Sequence, residues 1–225
     1  MRLYIAGKGA FGASVFDLAV SLGHEVVGVS APAENSRRDG PDRLMFAADR
    51  KGVPWLEAGR LRAEFMPAGV DLILAAHSHD FIGRATRMKA RLGGIGFHPS
   101  LLPRHRGRDA IRWTIHMGDA IAGGSVYWLS ERVDGGDIAA QDFVFVDPDE
   151  TVDSLWRTKL APLGLRLFET VLNDLGAGVI RRQKQDEAVA TWEPSWERQP
   201  LQRPDLLLLG AAPEGMVVEE RAGRA

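Results

Sequence analysis

Short apolar runs alternate with glycine-bounded amphipathic segments along the first two-thirds of this chain. That alternation restricts the fold more than any other feature. Residues 3–6, 25–30, 53–56, 70–75 and 94–97 read as strands, and residues 13–22, 42–51 and 84–92 as helices. Such a pattern predicts an α/β fold, a mainly parallel sheet with helices on both faces. Sheets of this kind place ligands at the carboxyl ends of their strands.

The later sequence changes character. Residues 108–118 read as a helix, and 124–129 and 138–146 as two strands joined by the 130–137 loop, a hairpin that makes the late strands partly antiparallel. Asp147-Pro148-Asp149 reads as a helix start, because oxygen-bearing side chains can cap free backbone N–H groups. The next helix runs to about residue 175, with a bend expected at Pro162. Residues 179–180 and 188–192 read as edge strands. The expected division is a catalytic domain over 1–197 and a partly ordered tail over 198–225.

Composition excludes several classes of function. The 225 residues contain no cysteine, which removes disulfides, thiolate nucleophiles and cysteine metal sites. A net charge of −2 gives no general attraction to nucleic acid or anionic membrane. No apolar run approaches the ~18 residues of a membrane span. The amino-terminal apolar run is too short for a secretion signal. A cytoplasmic protein with no membrane partner is the expectation.

Three segments carry chemistry. Gly7-Lys8-Gly9-Ala10-Phe11-Gly12 comes after a strand and precedes a helix. It reads either as a tight strand–helix turn or as an anion loop for an acceptor substrate, with Gly7, Lys8 and Gly9 as contacts. No acidic residue ends the second strand to hold a ribose, so NAD is not expected. The second segment runs from Gly96 to Gly107, G-F-H-P-S-L-L-P-R-H-R-G, and places His98 at a strand end. The third, Val133-Asp134-Gly135-Gly136-Asp137, brings a carboxylate on a glycine-flanked loop. A His/Asp pair on two such loops is suited to acid–base work, because the carboxylate orients the imidazole and favours its charged form. His77 and His79 form a weak candidate metal pair with no third ligand, so no metal is expected. Arg104, His105, Arg106 and Arg108 read as a solvated or anion-facing basic loop. His24 and His116 read as structural, and Trp192 and Trp196 as packing against the sheet edge.

The second and third segments resemble the folate-dependent formyltransferase family. Its pattern is Asn-x-His-(Pro/Gly)-Ser-Leu-Leu-Pro followed by Leu-Asp-x-Gly-(Asp/Pro). The wording of His98–Gly107, the Phe11-Gly12 turn and the context of Trp128 are most similar to the hydrolase domain of 10-formyltetrahydrofolate dehydrogenase. The resemblance covers about residues 1–195 and implies a Rossmann-like formyltransferase fold. It implies 10-formyltetrahydrofolate as co-substrate, His98 as general acid/base and Asp134 as its partner. The loops with Asp80, Phe81 and Ile82 and with Glu131, Val133 and Asp137 would hold the pterin. The family's catalytic asparagine falls at Gly96, which has no side chain. Losing one such oxyanion donor costs about 10²–10³ in rate. The resemblance therefore leaves three functions: formyl transfer to a small amine such as an amino-sugar nucleotide, hydrolysis with water as acceptor, or folate binding with weakened catalysis. Transfer RNA is not an expected partner, since about 30 residues after Trp196 are too few for a separate tRNA-gripping domain. A homodimer is among the expected states.

Overall fold

The computed structural model describes residues 1–35, 40–78 and 80–196. Seven strands form one sheet in the order β3-β2-β1-β4-β5-β6-β7. They are β1 (Arg2–Gly7), β2 (Glu25–Ala31), β3 (Trp55–Glu57), β4 (Leu72–Ala76), β5 (Gly94–His98), β6 (Ile121–Trp128) and β7 (Ile138–Phe145). The pairs among β1 to β5 are parallel, whereas β5–β6 and β6–β7 are antiparallel. The expected α/β fold with antiparallel late strands is the observed one.

The two faces of the sheet are covered unequally. Alternate residues of the central strands, Leu3, Ile5, Leu72, Leu74, Ile95, Val126 and Trp128, join one large core with helices α1 (Gly9–Ser21) and α6 (Ala161–Gly176). Helix α6 buries Leu163, Leu167, Phe168, Val171 and Leu172, an apolar stripe at helical spacing. Helix α2 (Arg43–Arg50) adds Leu44 and Ala48 to the same core. On the other face, Tyr4, Ala6 and Ile73 meet Leu61, Met66, Val70, Ile82 and Ala90 from connecting turns, the last two flanking the one-turn helix α3 (Arg84–Arg87). This second covering is the thinner of the two.

Local differences from the sequence reading have physical causes. Helix α1 starts at Gly9, so Gly9 to Gly12 belong to its first turn. Helix α3 stops at Arg87, where the apolar stripe that would bury a further turn runs out: Met88 is exposed. Helix α4 is Ala110–His116. Helix α5 (Val152–Ser154) is capped by Thr151, which exchanges hydrogen bonds with Ser154, while Asp147 and Glu150 pair with Lys159. The expected bend at Pro162 is replaced by a π-helical stretch, Leu155–Leu160, that ends as α6 begins with Pro162 in its first turn. Proline has no N–H for a preceding carbonyl, which suits a helix start. Residues 179–180 form no strand. Gln183 instead makes a single bridge to Ile138, and residues 188–192 give a 3-10 turn, Glu187–Val189, and one bridge from Trp192 to Arg106. The expected tail, 198–225, lies outside the described residues.

Phe168 is fully buried between α6 and the sheet, whereas Phe145 on edge strand β7 is 68% exposed. Phe168→Ala is expected to cost about 3–5 kcal/mol of unfolding free energy in a urea titration. Phe145→Ala is expected to stay within about 0.5 kcal/mol of the parent.

Candidate active site

Strand β5 ends at His98, and antiparallel β6 sets what stands next to it. Gly96 pairs with Tyr127, and His98 with Ser125. Directly opposed residues project to the same face. Gly96, His98, Ser125 and Tyr127 therefore share the thinly covered face. The turn after His98 is fixed from below: Ser125 Oγ donates to Ser100 O and accepts from Leu102 N–H, and Gln141 Nε2 donates to Leu102 O and Ser125 Oγ.

His98 is clamped on both sides and is only 7% exposed. Its Nε2 lies 2.7 Å from the carbonyl oxygen of His105. A carbonyl can only accept, so Nε2 carries the proton and Nδ1 is the nitrogen left for chemistry. Nδ1 faces Asp134 Oδ2 at 3.6 Å, an ion-pair distance once the ring takes a second proton. Asp134 is itself held by two donors. Gly107 N–H gives to Oδ2 at 2.8 Å and the Tyr127 hydroxyl to Oδ1 at 2.7 Å. Burial and the Asp134 charge push the Tyr127 phenol well above its ordinary pKa, so it remains a donor at neutral pH.

His105 is the functional residue the sequence reading misplaced. Instead of lining a solvated basic loop, it is 2% exposed and stands between two carboxylates, Asp119 Oδ2 and Glu193 Oε1, each 2.9 Å from a ring nitrogen. Its backbone adopts φ 55°, and its carbonyl is the one that fixes His98. Arg104 is paired with Asp119, and Arg106 is 2% exposed and bound to Gln185 and Glu187. Gln185 in turn donates to the carbonyls of Asp134 and Gly136. His105 and Arg106 thus form an internal girder between the two motif loops, while Arg104 and Arg108 are exposed. A buried arginine demands such partners, and the carboxylates that supply them lie far away in sequence.

The other sequence-predicted residues fall into two groups. The 128–137 loop and Arg182 line a cleft of about 510 Å³ that includes Glu131 and Asp137. Asp137 lies 3.8 Å from Arg182, and Glu131 lies 3.7 Å from Arg84. Val133 is 56% and Phe81 77% exposed, while Ile82 is buried. Asp80 accepts from Ser30 Oγ and Gly59 N–H. In the glycine-rich turn, a Cβ on Gly7 would collide with the Ala76 carbonyl, and Gly9 adopts φ 62°. Gly9 N–H donates to Asp42 Oδ2 at 2.8 Å, so a buried carboxylate already stands at the first turn of α1. Lys8 is the N-cap residue of α1. His77 lies edge-on to Trp156, while His79 is outside the described residues. Met1 N lies 3.2 Å from His24 Nδ1. His116 stacks edge-on with Trp113 and Trp196, which places Trp196 against α4 rather than the sheet edge, and Arg106 lies over Trp192. Among the described residues there is no group of three metal-ligating side chains, and no helix is long and apolar enough to cross a membrane.

Comparison with known proteins identifies the family. The formyl transferase family model matches residues 12–170, and the chain belongs to that family. Mitochondrial 10-formyltetrahydrofolate dehydrogenase from Mus musculus is 34% identical over 203 residues, covering 86% of this chain and 22% of the relative. The methionyl-tRNA formyltransferase of Thermotoga maritima is 29% identical over 210 residues, 89% of this chain and 67% of the relative. The crystal structure of glycinamide ribonucleotide transformylase 1 from Symbiobacterium toebii superposes with a TM-score of 0.68 at 25% identity, covering 82% of this chain and 93% of that one. The chain thus spans about a fifth of the length of the dehydrogenase relatives.

Burial alone would raise the Asp119 pKa, but hydrogen bonds from Arg104 and His105 outweigh it and hold the carboxyl below 3.8. A depressed folded-state pKa gives stability that is present above the unfolded value and lost as pH falls through the folded one. Asp119→Asn should therefore be less stable than the parent at neutral pH. The gap should narrow below about pH 3.8 when denaturant midpoints are measured across an acid series.

Proposed function

We propose that this chain moves the formyl group of 10-formyltetrahydrofolate to a small amine, with His98 and Asp134 as its acid–base pair. The observation that carries the reading is the clamp on His98: the His105 carbonyl occupies Nε2 and leaves Nδ1 facing Asp134. Membership of the formyl transferase family and the name of the dehydrogenase relative support formyl-folate as the donor.

That arrangement suits acid–base formyl transfer. The amine nitrogen attacks the formyl carbon and becomes positively charged in the tetrahedral intermediate. His98 Nδ1 takes the surplus proton, and Asp134 stabilises the imidazolium that forms. As the bond to N10 breaks, its electron pair stays on N10 and the proton is delivered there. The products are the formamide and tetrahydrofolate. The 128–137 cleft, with Glu131 and Asp137, the adjoining Val133, and the loop of Asp80, Phe81 and Ile82 would hold the pterin. Gly96 supplies no side-chain donor to the formyl oxygen.

A second reading has water as the nucleophile and formate as product. Asp42 favours it. A carboxylate already answers Gly9 N–H, so a phosphate-bearing acceptor would meet negative charge instead of an open helix N-terminus at Gly7-Lys8-Gly9.

Incubation with 10-formyltetrahydrofolate alone separates the two readings. Rapid formate release identifies hydrolysis, and turnover only after adding an amino-sugar nucleotide identifies transfer. In either case His98→Ala is expected to lower kcat by about 10²–10⁴. Full activity of that variant would remove His98 from the chemistry.

A further inference from the structure

Tyr127 is a buried acid–base group at this site to which the proposed reaction gives no task. Its ring stands opposite Gly96 in the β5–β6 register. A Cβ built on Gly96 would lie 3.5 Å from Tyr127 Cε1, 3.4 Å from the Ala75 Cβ and 3.1 Å from Leu129 Cδ2. Position 96 is thus closely walled by Leu129, Ala75 and the phenol ring, and Tyr127 is only 9% exposed.

We propose that Tyr127 is a positioning residue for the formyl-folate reaction: its hydroxyl fixes the Asp134 carboxylate so that Oδ2 stays aimed at His98. This rests on the proposed formyl-folate function. The geometry is specific to the two oxygens. Oδ1 accepts from Tyr127, whereas Oδ2 accepts from Gly107 N–H and faces His98. Turning the carboxylate would break both hydrogen bonds at once. Asp134 also sits at φ 49°, a left-handed conformation uncommon for a residue with a side chain. A phenol has one proton to donate. Because Tyr127 gives that proton to Asp134, it acts on the reaction through the carboxylate and not by donating to the formyl oxygen.

Without the hydroxyl, Oδ1 would be left with no donor among the described residues, on a side chain that is only 11% exposed. The carboxylate would then turn toward whatever donor remains. The Gly107 amide reports its position without any need for turnover.

Tyr127→Phe keeps the ring and its packing and removes only the oxygen, so it tests the claim cleanly. The expected result is a roughly 10- to 100-fold lower kcat, the effect of losing one hydrogen bond to a charged group. The KM for 10-formyltetrahydrofolate should change little. Introduced into Asp134→Asn, the same substitution should cost almost nothing more, because it acts through the group already altered. In ¹H–¹⁵N spectra of the full chain, the Gly107 amide should shift and exchange faster in Tyr127→Phe. Wild-type kcat, or an equal loss in both backgrounds, would overturn the proposal, as would an unmoved Gly107 amide. If His98→Ala and the parent turn over formyl-folate equally, the catalytic reading fails instead. The Gly107 amide still decides whether Tyr127 positions Asp134.

Discussion

Four residue pairs between β5 and β6, from Ile95–Trp128 to His98–Ser125, set where His98 and Tyr127 stand. Side chains alternate along a strand, so a slip of one residue would turn His98 toward the large core and bring Phe97 to the open face. The observed register is enforced from both sides. Phe97 packs on Phe11, Trp156 and Phe168 beneath the sheet, while Ser125 reaches the turn after His98 above it. The apolar core therefore determines the position of a catalytic candidate it never touches.

Above the sheet, precision comes from polar groups closed on one another. His98 leans on the His105 carbonyl, whose own ring is held between Asp119 and Glu193. Asp134 leans on Tyr127 and Gly107, and its loop on Gln185, which also binds Arg106. Buried charges are costly unless paired and hydrogen-bonded. Here they are paired in a chain running from the 98–107 loop to the 134–137 loop and the 185–193 segment. That chain gives loops, ordinarily the softest parts of a fold, the rigidity acid–base chemistry needs.

Membership of the formyl transferase family accounts for the arrangement of strand, histidine loop and carboxylate loop. Two further features stand near the motif loops. Gly96 offers no side chain and is closely walled by Leu129, Ala75 and Tyr127, and Asp42 places a carboxylate at the first turn of α1. Both bear on which nucleophile the site accepts, since each changes the donors and charges near it.

The alternating strands and helices, the histidine and aspartate motifs, and their family resemblance were legible from residue order alone, because strand period, glycine punctuation and motif spacing are local properties. His105 was not. Beside three arginines its sequence context reads as a solvated basic loop, and the carboxylates that bury it, Asp119 and Glu193, arrive from α4's end and from far along the chain. Tyr127 was hidden for a similar reason: only the β6 register puts it opposite Gly96 and within reach of Asp134. Residue order was enough for the sheet, the family and the candidate residues of the two motifs. Folding in three dimensions settles which nitrogen of His98 faces Asp134, what holds Asp134 and what walls Gly96. Those depend on cross-strand register and on long-range pairing of buried polar groups, which no local pattern encodes.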